Sequence, residues 1–245
     1  MLLDNIAIKQ ELPEYCHLHV LDGRGSLGRS FLELGRLWRR LRPDICISYL
    51  ARANVVNVAC SLLMGGRSVI SERVQTTSHL STARNAEVLK AITRLTYRRA
   101  ERIVAVSEGV RDDLVTNFNV PIEKLAVIGN PVDGQALRAA AMETPTVSLP
   151  ERYFVAAGRL VVNKNFPMLI EAYARKALGP DMVILGEGPD RAELERQIAR
   201  LGLTGRVHLK GFVANPYSVV AGAVAYVSAS NAEGFPNTLV EAETL

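Results

Sequence analysis

Short apolar runs rich in β-branched residues alternate with helix-period segments along almost the whole chain. The first series falls at 44–49, 68–71, 103–106 and 125–128, the second at 153–157, 182–185, 207–210 and 224–228. Strands separated by helices must run parallel, because a parallel partner can be reached only by a crossover, and the intervening helix supplies it. The pattern predicts an α/β protein with two parallel sheets. Between the two series, residues 141–150 are small and polar and carry two prolines, the composition of a linker. The expected domains are therefore 1–140 and 151–245, joined by 141–150.

With 245 residues, 48% of them apolar, the chain has ample material for two cores. The longest apolar run, around 55–64, is interrupted by Asn57 and Ser61, so no membrane span is expected, and Met1-Leu-Leu-Asp-Asn does not read as a secretory leader. Cys16, Cys46 and Cys60 stand singly, without the paired spacing of a zinc site or a disulfide framework, and a reducing cytoplasm is the default expectation. The net charge of +4 is concentrated in the first half. Residues 24–102 hold 15 Lys/Arg against 5 Asp/Glu, notably Arg24, Arg29, Arg36, Arg39, Arg40 and Arg42, then Lys90, Arg94, Arg98, Arg99 and Arg102. Such a surface attracts anions, but it lacks interleaved aromatics or a recognisable module, so nucleic acid is not the expected partner.

The chemistry concentrates near the carboxyl end, in Asn231-Ala-Glu233-Gly-Phe-Pro-Asn-Thr-Leu-Val-Glu241. Two carboxylates eight positions apart bracket a loop that opens a helix. Pro236 and Asn237 suit its first turn, whose unpaired N–H groups and positive dipole end favour phosphate or hydroxyl oxygens. Upstream, Gly158-Arg159-Leu-Val-Val-Asn-Lys164-Asn165 follows a strand and places two cations where open α/β sheets bind ligands.

The Glu-x7-Glu arrangement resembles the signature of retaining glycosyltransferases of family 4, the glycosyl transferases group 1 set with the GT-B fold. The loop 158–165 is similar to that family's diphosphate-binding loop. Leu185-Gly-Glu-Gly-Pro189 and Gly211-Phe212 resemble its next two landmarks in the same order, and 103–110 and 127–133 resemble the last strands of its acceptor domain. The resemblance implies a GT-B protein of two Rossmann-like parallel-sheet domains facing a cleft. By that standard both domains are incomplete, the first strand and the end of the second sheet being expected beyond the residues present.

The resemblance also implies roles. Arg159 and Lys164 would neutralise the donor diphosphate, Glu233 would contact hydroxyls of the transferred sugar, and Glu241 would accept from the ribose hydroxyls, as suits a group that only accepts. Backbone N–H groups would come from Gly234, Phe235, Asn237, Thr238 and Leu239. Gly158 would open the diphosphate loop on the donor side; Gly186 and Gly188 would permit close backbone approach, and Gly211 with Phe212 would line the base pocket, unless these last two sites are simple turns. His79, after the strand 68–71, would assist the acceptor or touch the sugar, with ordinary surface polarity as the competing reading; Glu72 and Arg73 would pair with each other or shape the cleft. His17, His19 and His208 read as structural strand positions. No Asp-x-Asp motif is present to hold a metal, so the expected reaction is metal-independent and cofactor-free, with a UDP- or GDP-sugar as donor and a saccharide or lipid-linked acceptor. A catalytically inactive nucleotide-sugar-binding fragment, an epimerase and a glycogen-type polymerase are the alternatives. In segment 26–41, Leu27, Phe31, Leu34, Trp38 and Leu41 form one helical stripe, with Arg29, Arg36, Arg39 and Arg40 elsewhere. This points to core packing, with an anionic membrane surface as a candidate partner on the cytoplasmic face.

Overall fold

The structure, a computed structural model, describes residues 13–23, 26–81, 85–175 and 179–245. Arg24 and the first five residues, named above, lie outside that set. The chain forms two compact units, 1–129 and 130–245.

The first unit carries α1 (Leu27–Leu41), β1 (Ile45–Tyr49), α2 (Ala51–Met64), β2 (Arg67–Glu72), α3 (Thr76–Ser81), α4 (Ala86–Tyr97), β3 (Arg102–Ala105), α5 (Glu108–Phe118) and β4 (Leu125–Val127). Its sheet has the order β1-β2-β3-β4, every pair parallel. The α1 stripe packs on α2: Leu27, Phe31 and Leu34 lie against buried Trp38, Val56 and Cys60, and Trp38 Nε1 donates to Gly65 O at 3.1 Å. Leu41 departs from the expected stripe and is 53% exposed, since the helix ends there and Arg42 turns left-handed (φ 46°). His17 and His19 also depart from expectation, because residues 16–23 form no strand.

The second unit holds α6 (Gly134–Ala141), β5 (Tyr153–Ala157), α7 (Phe166–Ala174), β6 (Asp181–Leu185), α8 (Arg191–Arg200), β7 (Val207–Gly211), α9 (Tyr217–Ala221), β8 (Ala225–Tyr226) and α10 (Asn237–Thr244). Alternation along its strands serves two cores. Ala156, Met182 and Ile184 meet Phe166 and Ile170 of α7 and Leu194 and Ile198 of α8, while Tyr153, Val155, Val183 and Leu185 meet Val213 and Val219. The order β7-β6-β5-β8 is parallel throughout. His208 on β7 has a partner that its spacing did not suggest, Asp181 Oδ2 at 2.8 Å, and Arg206 takes Asp181 Oδ1 at 2.7 Å. The compact units part at Gly129/Asn130, ahead of the 141–150 stretch, because α6 packs on α9 and α10 and Asn215 Nδ2 donates to Ala140 O at 2.8 Å.

Candidate functional site

The order β7-β6-β5-β8 means that the winding of the second sheet reverses between β5 and β8. The carboxyl ends of the two strands beside such a reversal are where open parallel sheets bind ligands. One loop leaves each end. The loop after β5 holds Gly158, Arg159 and Lys164, and the segment after β8 leads to Glu233 and α10.

The β5 loop is tied to its neighbour by main-chain bonds: Gly158 N donates to Leu185 O and Leu160 N to Glu187 O, both at 2.9 Å, and Gly186 N donates to Gly211 O at 2.7 Å. The landmark glycines have a reason in this contact. A Cβ on Gly186 (φ 134°) would stand 1.9 Å from Gly158 O, and one on Gly188 would stand 2.2 Å from Leu160 O. The close approach at these two positions is thus to the chain's own backbone. At Gly158 a Cβ would press on the Lys164 stem, 3.2 Å from Cε, so this glycine gives the lysine its path.

Lys164 ends a 3-10 turn (Val162–Lys164), and Asn165 follows in the left-handed region (φ 50°), where Asn is tolerated. Three contacts fasten this turn to the segment after β8. Asn163 Nδ2 donates to Ala232 O at 2.7 Å, Asn231 N donates to Asn163 O at 2.9 Å, and Asn165 Nδ2 donates to Asn231 Oδ1 at 3.0 Å. Between them Lys164 Nζ meets Glu233 Oε1 at 2.5 Å. Asn163, Asn165 and Asn231 were not singled out from the sequence. Their signal was asparagine flanking the charged residues, a type that bonds backbone locally and accepts left-handed geometry.

Helix α10 begins at Asn237 with Pro236 as its cap residue. Its first turn closes on itself: Asn237 N donates to Phe235 O at 2.9 Å and Leu239 N to Pro236 O at 3.0 Å, so those two expected donors are already engaged. Tyr226 OH donates to Thr238 Oγ1 at 2.7 Å, and Asn130 bonds Asn237. Gly234 is buried beside Glu233, and Phe235 is half-buried. Glu241 lies one turn into α10 near Tyr217, whose pKa is raised by burial and then by the Glu241 charge. Arg159 is exposed on the β5 loop, and Phe212 presents a 78% exposed ring after β7.

In the first unit, the stretch after β2 folds into α3, which carries His79 on an exposed position. Glu72 does not pair at the surface. It is fully buried, accepting from Tyr97 OH at 2.5 Å with Asn54 Nδ2 at 3.5 Å, and burial pushes its carboxyl up to about 7. Asn54 also bonds Ser48 Oγ, and Asn57 Nδ2 donates to that hydroxyl at 2.9 Å. The start of α3 is held by Asp113, which accepts from Thr77 N at 3.0 Å. Buried groups thus hold the chain at Glu72 and at Thr77, on the amino-terminal side of His79.

Two family models match the chain, Glycosyltransferase Family 4 over residues 10–135 and Glycosyl transferases group 1 over 140–245. Among curated proteins, the chain is 32% identical to N-acetylgalactosamine-N,N'-diacetylbacillosaminyl-diphospho-undecaprenol 4-alpha-N-acetylgalactosaminyltransferase of Campylobacter jejuni, across 98% of this chain and 68% of that protein. It is 29% identical to the lipopolysaccharide 1,6-galactosyltransferase of Salmonella typhimurium over 60% of this chain and 41% of that one. Among solved structures, Anabaena HepE in complex with UDP superposes with a TM-score of 0.73 at 20% identity, covering 92% of this chain and 64% of that one. At that identity the likeness speaks for the fold, which is GT-B. The chain spans about two thirds of the Campylobacter relative and of HepE, and less of the Salmonella enzyme.

Proposed function

The chain belongs to the glycosyltransferases of family 4 and group 1, and from that premise we propose that it transfers a sugar from a UDP- or GDP-sugar to a saccharide or lipid-linked acceptor, with retention of configuration, in polysaccharide or envelope glycoconjugate synthesis. The observation that carries the reading is the placement of Lys164 and Glu233 together at the switch point of the second sheet, beside the amino end of α10. The acceptor of the Campylobacter relative, a diphospho-undecaprenol glycan, and the UDP in the HepE complex agree with this donor and acceptor chemistry.

In the proposed reaction an acceptor hydroxyl attacks the anomeric carbon, the bond from that carbon to the diphosphate oxygen breaks, and the hydroxyl proton leaves with the departing diphosphate. Negative charge builds on the leaving group. Arg159 and Lys164 and the dipole end of α10 would act where it develops, as fixed charges already in place. Glu233 would hold the sugar hydroxyls, Glu241 the ribose, and His79 would serve the acceptor side. With two cations in this role no divalent ion is required, and excess EDTA is expected to leave the rate within about twofold.

Peripheral attachment at the cytoplasmic face of the membrane is part of the same proposal, supported by the exposed Arg29, Arg36, Arg39 and Arg40 of α1. Among the described residues no helix is long and apolar enough to cross a membrane. Calorimetry with UDP and with GDP tests the donor assignment: one nucleotide should bind, and Lys164→Ala and Glu241→Ala should each weaken it. Equal affinity of both variants and the parent chain would sink the reading, and the anomeric configuration of the product, read by NMR, tests retention.

A further inference from the structure

The roles proposed for Lys164 and Glu233 treat them as separate contacts, one for the diphosphate and one for the sugar. In the structure they hold each other at 2.5 Å, with side chains only 23% and 26% exposed. This is not a pair of loose surface chains. Gly158 clears the lysine stem, and the bonds of Asn163 and Asn165 to Ala232 and Asn231 lock the two segments on either side of the contact. A diphosphate that binds the ammonium competes with Glu233 for its one positive charge and sets a second anion beside a partly buried carboxylate, a costly state for that carboxylate. Sugar hydroxyls can offset that cost, because they donate and Glu233 accepts. A bare nucleoside diphosphate has nothing to offer in their place.

We propose that the Lys164–Glu233 ion pair makes this site select the intact nucleotide sugar over the nucleoside diphosphate, so that Glu233 is a specificity-determining residue and its return to Lys164 after transfer helps expel the product. The inference rests on the reading of 158–165 as the diphosphate loop.

The test is calorimetric binding of UDP and GDP, each beside UDP-glucose and GDP-mannose, to the full 245-residue chain and to Glu233→Gln, Glu233→Ala and Lys164→Ala, with thermal melts to confirm folding. Both Glu233 variants should bind the bare diphosphate about three- to tenfold more tightly than the parent, since a competing anion is gone, and the preference for the sugar-bearing form should shrink. Bare-diphosphate affinity that is unchanged or weaker in both folded Glu233 variants, while Lys164→Ala loses binding, would overturn this inference and leave the donor site standing. Undiminished binding by Lys164→Ala, or no binding of any nucleotide by the folded parent, would overturn the donor-site reading and this inference together.

Discussion

Lys164 and Glu72 carry opposite kinds of charge problem, and each leads to a measurable expectation. A hydrogen bond to a charged group contributes about 1.5–3 kcal/mol, so Lys164→Ala should slow transfer on the order of 10- to 150-fold in steady-state assays; a loss below about threefold would remove the lysine from the mechanism. Glu72 is fully buried, and its carboxyl is raised to about 7, chiefly by desolvation, although Tyr97, the amides of Arg73 and Val74, and Asn54 pull the other way. A carboxyl that titrates higher in the folded state binds more protons than the unfolded chain between its ordinary value and about 7. Stability should therefore fall as pH rises through that window and level off above it, by up to about 3 kcal/mol. In Glu72→Gln the decline should vanish from melts recorded between pH 4.5 and 8, and an unaltered slope would assign it to another group. The acidic pair of the terminal motif and the two cations were visible in the sequence because they are charged and oddly spaced. Glu72 was visible only as a residue beside Arg73, since nothing in the order of residues says that Tyr97 and Asn54 will close over it.

At the scale of elements, the loops after β5, β6 and β7 act as one unit, knit by Gly158, Leu160, Gly186 and Gly211. Gly186→Ala sets a methyl against the Gly158 carbonyl at a backbone angle that Ala avoids, and neither backbone can yield cheaply. The expected outcome is a loss of more than about 2 kcal/mol in denaturant unfolding together with weakened nucleotide binding. Asp133 offers a milder case. It caps α6 by accepting from Gln135 N at 3.1 Å and Ala136 N at 3.0 Å, and Asp133→Ala should cost about 1 kcal/mol in the same measurement. The strands were legible because β-branched runs have a local signature; β8 fell furthest short of its apolar run, two residues instead of five. Helix α3 escaped the sequence reading because it is six residues long and polar, and Asp113, 36 residues away, anchors its first turn.

At the scale of the molecule, the excess positive charge of the first unit is divided in use. In its second cluster, Arg94 donates to Asn117 O at 2.8 Å, Arg99 to Leu95 O at 2.9 Å, and Lys90 pairs with Glu87 at 2.8 Å. On α1, Arg36 pairs with Glu33 at 2.7 Å, and Arg39 and Arg40 sit in the last turn, where they complement the helix dipole. An exposed basic face of this kind is worth about 1 kcal/mol per residue near an anionic bilayer. Cosedimentation with vesicles containing anionic lipid should therefore exceed that with neutral vesicles, fall at high salt, and drop when Arg29, Arg36, Arg39 and Arg40 are changed to Glu; equal pelleting with both vesicle types would exclude the attachment. The order of residues was sufficient for the two parallel sheets, their strands, the amphipathic α1 and the ordered set of family motifs, because periodicity and turn chemistry act over a few residues. The contact of Lys164 with Glu233 spans 69 positions, as does that of Asn163 with Ala232. Those pairings, like the burial of Glu72 against Tyr97, were decided only when β8 paired with β5 and α4 packed in the first unit, since a side chain's partner depends on which distant segment the core brings beside it.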